Sequence, residues 1–577
     1  MFEKLYLNIK KVYRRVAVKI LNKINYHHHK LPRNAHYFEG SLYDAVYNTS
    51  LKYPYNVAIE YGDLQITYKQ FIKRINKCAR ALKALGVQKE DKVTICMPNT
   101  PEEVTMFYAI NEIGAIANMI HPLSSERDIE YYLNKSESKV MLCIDIDYSK
   151  MKNIINNTSV KTVIISSATK SMERLTKIIY WFLKGRKLGI KEDKKFILWD
   201  HFIEKSNEYL EDPYEVVDGK KPAVILYSGG TTGKSKGVVI SNYSFNAQAL
   251  QSVYVDSILK DSENAFLTFL PNFHAFGIGI CTHIPLFHGL RVVLIPQFNA
   301  KKIKHYIRKH KFNILCGVPT FYEYMTHVKF RKNELKVLKL VVCGGDALSL
   351  DLKRNVNAML EKYGSKAEIQ VGYGLTEVSG VVSFSPKGIK DQSDVIGYPF
   401  PDVSIKVVDP NTLKEVGIDE DGELLISGPN NMIGYLNEPE ETKNTLITIG
   451  TKKWVRTGDI CFIDKKGLIH YKSRLKRMII TNGYNVYPSH VEDIIMELPS
   501  VKACSVIGKP DKTHGEKVIA FVVLNDGYDS FSEKNKIQKH LKEHLAKYEV
   551  PKDIKYIEEL PKTLVGKVAY KELEKLC

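Results

Sequence analysis

Residues 228–237 hold the densest phosphate-binding chemistry in the chain, Ser228-Gly229-Gly230-Thr231-Thr232-Gly233-Lys234-Ser235-Lys236-Gly237. Glycines let backbone N–H groups close around a polyphosphate, hydroxyls add donors, and lysines add positive charge. A Walker A loop needs glycine at 228, where Ser228 stands, so this loop does similar chemistry in a different frame. The run at 222–227 reads as the strand that enters the loop, and a helical stretch is expected to leave it.

Two further clusters have types and spacing suited to a nucleotide. In Gly372-Tyr373-Gly374-Leu375-Thr376-Glu377 an aromatic between glycines can stack on a purine while the backbone approaches closely. The carboxylate four residues on can hold Mg2+ between phosphates. In Trp454-Val455-Arg456-Thr457-Gly458-Asp459 a carboxylate after a tight turn can accept hydrogen bonds from ribose hydroxyls.

Taken in order, these motifs resemble the acyl-adenylate-forming superfamily of AMP-dependent synthetases and ligases, and within it the bacterial long-chain fatty acid–CoA ligases. The loop at 228–237 matches the family's signature, with Ser235 in a slot that usually holds proline. The resemblance implies ATP, Mg2+ and coenzyme A as cofactors and substrates. It implies that Ser228, Gly229, Gly230, Thr231, Gly233 and Lys236 bind nucleotide phosphates, and that Thr231 and Glu377 hold the metal. Thr232 stands with Glu377, His274 and Lys567 among the catalytic positions. Gly345, Gly372, Tyr373 and Gly374 border the adenine, Thr376 meets phosphate, and Asp459 and Arg474 reach the ribose. Lys476 maps to a hinge, and Gly483 to the turn that faces the thiol acceptor. His274, in the loop 270–277, either seats the substrate carboxylate or packs. Lys567, in Leu560-Pro561-Lys562-Thr563-Leu564-Val565-Gly566-Lys567, is the lysine the family sends into the first-step site. A carboxylate attacking a polyanion meets repulsion, and a mobile cation bridging the attacking oxygen and the α-phosphate offsets it. Four departures from the family pattern fall at Asp346, Ser473, His490 and Tyr570.

These positions need a scaffold that delivers loops to one place. From about residue 40, β-branched runs at 92–97, 139–144, 160–165, 222–227, 291–295, 312–316, 338–343 and 368–372 alternate with amphipathic stretches such as 67–85 and 349–363. That alternation predicts an α/β fold, a large N-terminal domain of stacked sheets with covering helices. Past 400 the strands shorten, which predicts a small β-rich subdomain, and past 474 a small mobile α+β C-terminal domain. The expected boundaries are 1–35, 36–474 and 475–577.

Composition agrees with a large buried core. The chain has 577 residues, 44% apolar and 26% charged, which excludes a disordered tail, a collagen-like fibre or a disulfide scaffold. Its 84 Lys+Arg against 65 Asp+Glu favour anionic partners, or reflect a coding bias towards lysine. No aromatic–basic interleaving points to nucleic acid. Nine scattered cysteines without zinc spacing read as reduced structural thiols of a cytoplasmic protein. Residues 1–26 carry Phe2, Leu5, Ile9, Val12, Val16, Ile20 and Ile24 at helical spacing opposite a lysine- and arginine-rich face. Such a helix either lies peripherally on an anionic inner membrane face or packs on its own domain. The run Ile178-Ile179-Tyr180-Trp181-Phe182-Leu183, in an insertion of bacterial long-chain type, offers the same pair of readings.

The expected activity is ATP-dependent conversion of a medium- or long-chain fatty acid to acyl-AMP and then to acyl-CoA. The alternatives are a sister ligase for an aryl or amino acid or a carrier-protein thiol, and a non-catalytic nucleotide-binding scaffold at a membrane.

Overall fold

The computed structural model describes residues 31–577 apart from 33–35, 168, 173, 184, 229–234, 390, 482–483, 512–514 and 563–567. The strand runs that read as continuously apolar are covered on both faces. All five residues of Val140–Ile144 are buried, as are all five of Leu340–Gly344, which is the signature of parallel strands sandwiched between layers.

Among the described residues three sheets form. One has eight strands in the order Gly434–Tyr435, Lys236–Ser241, Pro222–Ser228, Ile116–Met119, Lys92–Cys96, Val140–Ile144, Thr162–Ser166, Phe196–Leu198. Its last six are mutually parallel and its first two antiparallel. The second has a parallel centre, Ile369–Tyr373, Leu340–Gly344, Ile314–Gly317, Ala265–Thr268, Arg291–Leu294 and Val57–Tyr61. Beyond Tyr373 it continues through Ser383–Phe384 and Val395–Pro399 into the antiparallel strands Ile469–Arg474, Lys452–Ile463, Gly422–Ser427 and Ser404–Val408. The β-rich portion is therefore hydrogen-bonded to the sheet that carries Tyr373. A third, five-stranded sheet is built entirely from residues after 478, with helices Pro488–Met496 and Ser530–His544 beside it.

The main core lies between the first two sheets. Helix Tyr68–Ala84 opens on a capping box between Thr67 and Gln70 and buries Phe71, Ile75, Cys78 and Leu82 at helical spacing. Helix Pro101–Glu112 is buried at every position, including Glu102, Glu103, Asn111 and Glu112. All nine cysteines are free thiols.

One expectation is corrected. The phosphate-loop sequence leaves on a strand, Lys236–Ser241, and the helix begins only at Asn242. Val238, Val239 and Ile240 are β-branched and pair antiparallel with Pro222–Ser228, so the local preference for strand prevails over the amphipathic pattern downstream. The consequence is functional: Ser228 and Lys236 become direct cross-strand partners.

Candidate active site

Asp459 and Arg474 stand opposite one another on the antiparallel strands Lys452–Ile463 and Ile469–Arg474. The Arg474 Nε lies 2.9 Å from Asp459 Oδ1, and a second Arg474 nitrogen donates to the Thr457 carbonyl at 3.2 Å. The Tyr373 hydroxyl donates to Asp459 Oδ2 at 2.6 Å. The turn before Asp459 is shaped by Gly458 at φ +66°, whose N–H donates to buried Glu423 at 3.2 Å, while Arg456 pairs with the same carboxylate. Burial pushes the Asp459 carboxyl above its ordinary value, against the pull of Arg474 and the Tyr373 hydroxyl. Burial opposes the Arg474 charge, and Asp459 more than compensates, holding that guanidinium protonated. Two sequence motifs separated by 86 residues thus meet in one corner.

The residues expected to meet phosphate and metal are next to it. Glu377 is the middle residue of a short 3-10 turn, Thr376–Val378, directly after Tyr373-Gly374-Leu375. Gly374 is obligatory, because a Cβ there would sit 1.9 Å from the Gly380 carbonyl oxygen. Glu377 Oε1 accepts from the Tyr435 hydroxyl at 2.9 Å, and the Lys236 ammonium lies 5.1 Å from the centre of the Tyr435 ring. Lys236 also forms an ion pair with Glu441, whose carboxyl it pulls below the ordinary range. A carboxylate offers about four lone-pair positions and Tyr435 uses one, so Glu377 fits a hard, oxygen-preferring cation such as Mg2+.

A third wall is apolar. The loop 270–277 is tethered by a buried polar network. Asn99 donates to the Leu270 carbonyl at 2.8 Å and accepts from the Asn272 N–H at 3.0 Å; Asn272 donates to Glu103 at 2.8 Å and accepts from Thr282 at 2.9 Å. Burial pushes Glu103 up to about 8 despite the Asn272 bond. His274 projects from this loop beside Phe273, ring centres 4.7 Å apart. Gly277 packs so tightly that a Cβ would fall 2.0 Å from the Pro271 carbonyl oxygen.

These three walls line one cavity of about 2820 Å³. It holds Ser228, Lys236, His274, Gly345, Gly372, Tyr373, Gly374, Thr376, Glu377, Asp459, Arg474 and Lys476. Its lining also includes the apolar side chains of Phe266, Ile284, Cys316, Leu340 and Val342, all buried in the second sheet and the helices on it. The positions Gly229, Gly230, Thr231, Thr232, Gly233, Gly483 and Lys567, and the whole of 1–26, lie outside the described residues. Lys562 and Val568, which flank the Lys567 loop, pair as an isolated antiparallel bridge and both line the cavity.

The departures from the family pattern also have places. Tyr570 lies under the Arg477 guanidinium at 3.8 Å, and Asp346 is near enough to raise its hydroxyl further after burial has done so. Ser473 is buried opposite Ile460, and His490 pairs with Glu549 at 3.2 Å. Sequence reasoning missed Tyr435, Glu441, Glu423 and the Asn99–Asn272–Glu103 tether, because no local motif surrounds them.

Comparison with known proteins agrees with this geometry. Residues 47–436 match the family described as AMP-binding enzyme, and residues 490–567 match the AMP-binding enzyme C-terminal domain. The chain belongs to the AMP-binding enzyme family, the adenylate-forming superfamily that its motifs resemble. It is 28% identical over 549 residues to a long-chain-fatty-acid–CoA ligase of Bacillus subtilis, covering 94% of this chain and 95% of that one. It is 29% identical to a probable CoA ligase of Humulus lupulus, covering 89% and 88%. The fold is similar to that of ATP-bound MatB from Rhodopseudomonas palustris, with a TM-score of 0.80 and 24% identity, covering 93% of this chain and 99% of that one.

Proposed function

We propose that this enzyme joins a medium- or long-chain fatty acid to AMP and then to the thiol of coenzyme A. The observation that carries the reading is the buried apolar lining, Phe266, Ile284, Cys316, Leu340 and Val342, which shares one cavity with the Tyr373–Asp459–Arg474 corner. An acid with a polar head and a long aliphatic tail fits that combination. Each CH2 buried against such a lining contributes about 0.8 kcal/mol, close to fourfold in affinity.

In this reading residues 36–474 bind ATP and the acid, and 475–577 move over them. Tyr373 borders the adenine, Asp459 and Arg474 take the ribose hydroxyls, and Ser228, Thr376 and Lys236 meet the phosphates. Glu377, with Thr231, would hold Mg2+, which when bound neutralises charge on the departing pyrophosphate. The loop 270–277 presents His274 to the substrate carboxylate. A carboxylate oxygen forms a bond to the α-phosphorus as the bond from that phosphorus to the bridging oxygen breaks, and pyrophosphate leaves. Lys567 offsets the repulsion between the two anions. After the C-terminal part turns about Lys476, a thiolate forms the new C–S bond, the acyl C–O bond to AMP breaks, and AMP leaves. Positioning and electrostatics carry both steps, and none of the nine cysteines is needed as a nucleophile. The enzyme works in the cytoplasm, with residues 1–26 giving peripheral contact to the membrane.

ATP–pyrophosphate exchange measured over straight-chain acids of two to eighteen carbons tests the reading. Exchange should rise with chain length to an optimum among medium or long acids, and thioester should form only with coenzyme A present. Exchange confined to aryl or amino acids, or absent with every acid, overturns it.

A further inference from the structure

One helix is built the wrong way round for packing on its own domain. In Arg174–Leu183 the side chains of Ile178, Ile179, Trp181, Phe182 and Leu183 are between 43% and 65% exposed. At about 100° per residue these five sweep somewhat more than half of the helix circumference. Tyr180 falls on the remaining arc, and its hydroxyl lies 3.0 Å from both oxygens of Asp145. The helix is thus anchored by a polar contact and turns its apolar side outward. Trp181 and Phe182 pack edge to face, 5.0 Å between ring centres, so the outward side is a contiguous aromatic–aliphatic patch. Single exposed apolar residues need no explanation, but a contiguous group of five implies a contact.

Charge identifies the contact. Residues 177–195 contain seven Lys or Arg against two acidic residues. Lys177, Arg186 and Lys187 are exposed beside the patch. Both acids are exposed but already engaged: Glu192 accepts from the Leu198 N–H at 2.7 Å and pairs with His201, and Asp193 accepts from the N–H groups of Lys195 and Phe196 at 2.7 and 2.8 Å. The outer face therefore offers bulky apolar groups, an aromatic pair and a net excess of positive charge, the composition that seats a helix at an anionic lipid interface.

We propose that helix Arg174–Leu183 and the basic segment after it form a docking surface for the phosphate face of an anionic bilayer. The apolar side chains enter the acyl boundary, and Lys177, Arg186 and Lys187 meet lipid phosphates. This contact is separate from residues 1–26 and does not rest on the substrate assigned above.

The full chain supplies its own probe. It has three tryptophans, of which Trp199 and Trp454 are buried and Trp181 is 54% exposed. Mixing the protein with vesicles of phosphatidylglycerol and phosphatidylcholine in equal parts should shift tryptophan emission to the blue. Brominated acyl chains should quench it, and pure phosphatidylcholine should do much less of either. Phe182→Asp should weaken co-sedimentation with the anionic vesicles about tenfold or more, the scale set by losing one buried aromatic. Arg186→Gln with Lys187→Gln should remove most of the preference for anionic lipid, and acid-dependent ATP–pyrophosphate exchange without vesicles should stay intact in all variants. Binding to vesicles with unmoved Trp181 emission and no effect of Phe182→Asp would assign the membrane to residues 1–26 and overturn the proposal. So would a blue-shifted Trp181 without lipid in a protein that elutes larger than a monomer, with Phe182→Asp restoring the monomer, because the patch would then be covered by a second copy.

Discussion

Asp459 is fully buried, carries a charge partner on one oxygen and a hydroxyl donor on the other, and owes both to residues from other motifs. In the function proposed above, ribose hydroxyls meet this constrained carboxylate and must compete for the same oxygens. Asp459→Asn keeps the shape but turns an amide towards Arg474 or Tyr373 and removes the charge. Hydrogen bonds to a charged group are worth about 1.5–3 kcal/mol, so kcat/KM for ATP should fall roughly 10- to 100-fold, mainly through KM. Half of the Arg474 side chain reaches solvent although the surrounding protein opposes its charge, so water can take over the lost pairing and the cost in stability should be small. Steady-state kinetics at varied ATP, with a denaturation curve alongside, measures both. Unchanged KM for ATP would remove Asp459 from the nucleotide site.

At the scale of elements, the site depends on a loop held by a buried acid. Glu103 sits in the first turn of helix Pro101–Glu112 and accepts from Asn272, and its carboxyl is raised from near 4.5 to about 8. The folded protein therefore keeps this proton where the unfolded chain releases it. Stability from this group is present below pH 4.5, is lost as pH rises to about 8 at up to about 1.4 kcal/mol per unit, and is flat above. Glu103→Gln preserves the acceptor and cannot ionise, so urea midpoints against pH should lose that slope and the variant should be the more stable one at pH 9. A parallel slope in both proteins would mean Glu103 is ionised in the fold. The apolar lining yields a second prediction: Val342→Phe, from strand Leu340–Gly344, fills part of the cavity beside it and should move the preferred acid to a shorter chain while leaving KM for ATP within about twofold. These contacts also mark what was legible beforehand. Strands and helices could be read because their periodicity is local, and the glycine, tyrosine and aspartate motifs could be read because their chemistry is contained in six to ten residues. The Tyr435–Glu377 bond spans 58 residues, the Asn272–Glu103 bond 169 and the Lys236–Glu441 pair 205, and nothing near either partner announces the other. The one misread element, Lys236–Ser241, has a β-branched run whose pairing with the preceding strand is likewise visible only in the sheet.

For the molecule as a whole, the question is whether one chain can offer two faces to one cavity. The link between the two parts is short and held at both ends. Arg474 is fixed to Asp459 on one side, and after the single turn Leu475–Arg477, Arg477 donates to Glu492 at 2.8 Å and stacks on Tyr570. Lys476 is the exposed residue between these anchors. A change of backbone angle there would rotate the five-stranded sheet as one body, and Tyr570 with the base of the Lys567 loop would travel with Arg477. The cycle proposed above asks different chemistry of the same domain in two poses. With Lys567→Ala, acid-dependent pyrophosphate release should fall by at least about 100-fold, the scale of removing one well-placed charge-stabilising group. Thioester formation from supplied acyl-AMP and coenzyme A should stay within about threefold, because that step uses the other pose and leaves the tail lysine outside the reacting centre. Assaying the two half-reactions separately on the same preparation decides it: matched losses in both would mean that Lys567 supports the fold or a common state and that the two-pose cycle is wrong.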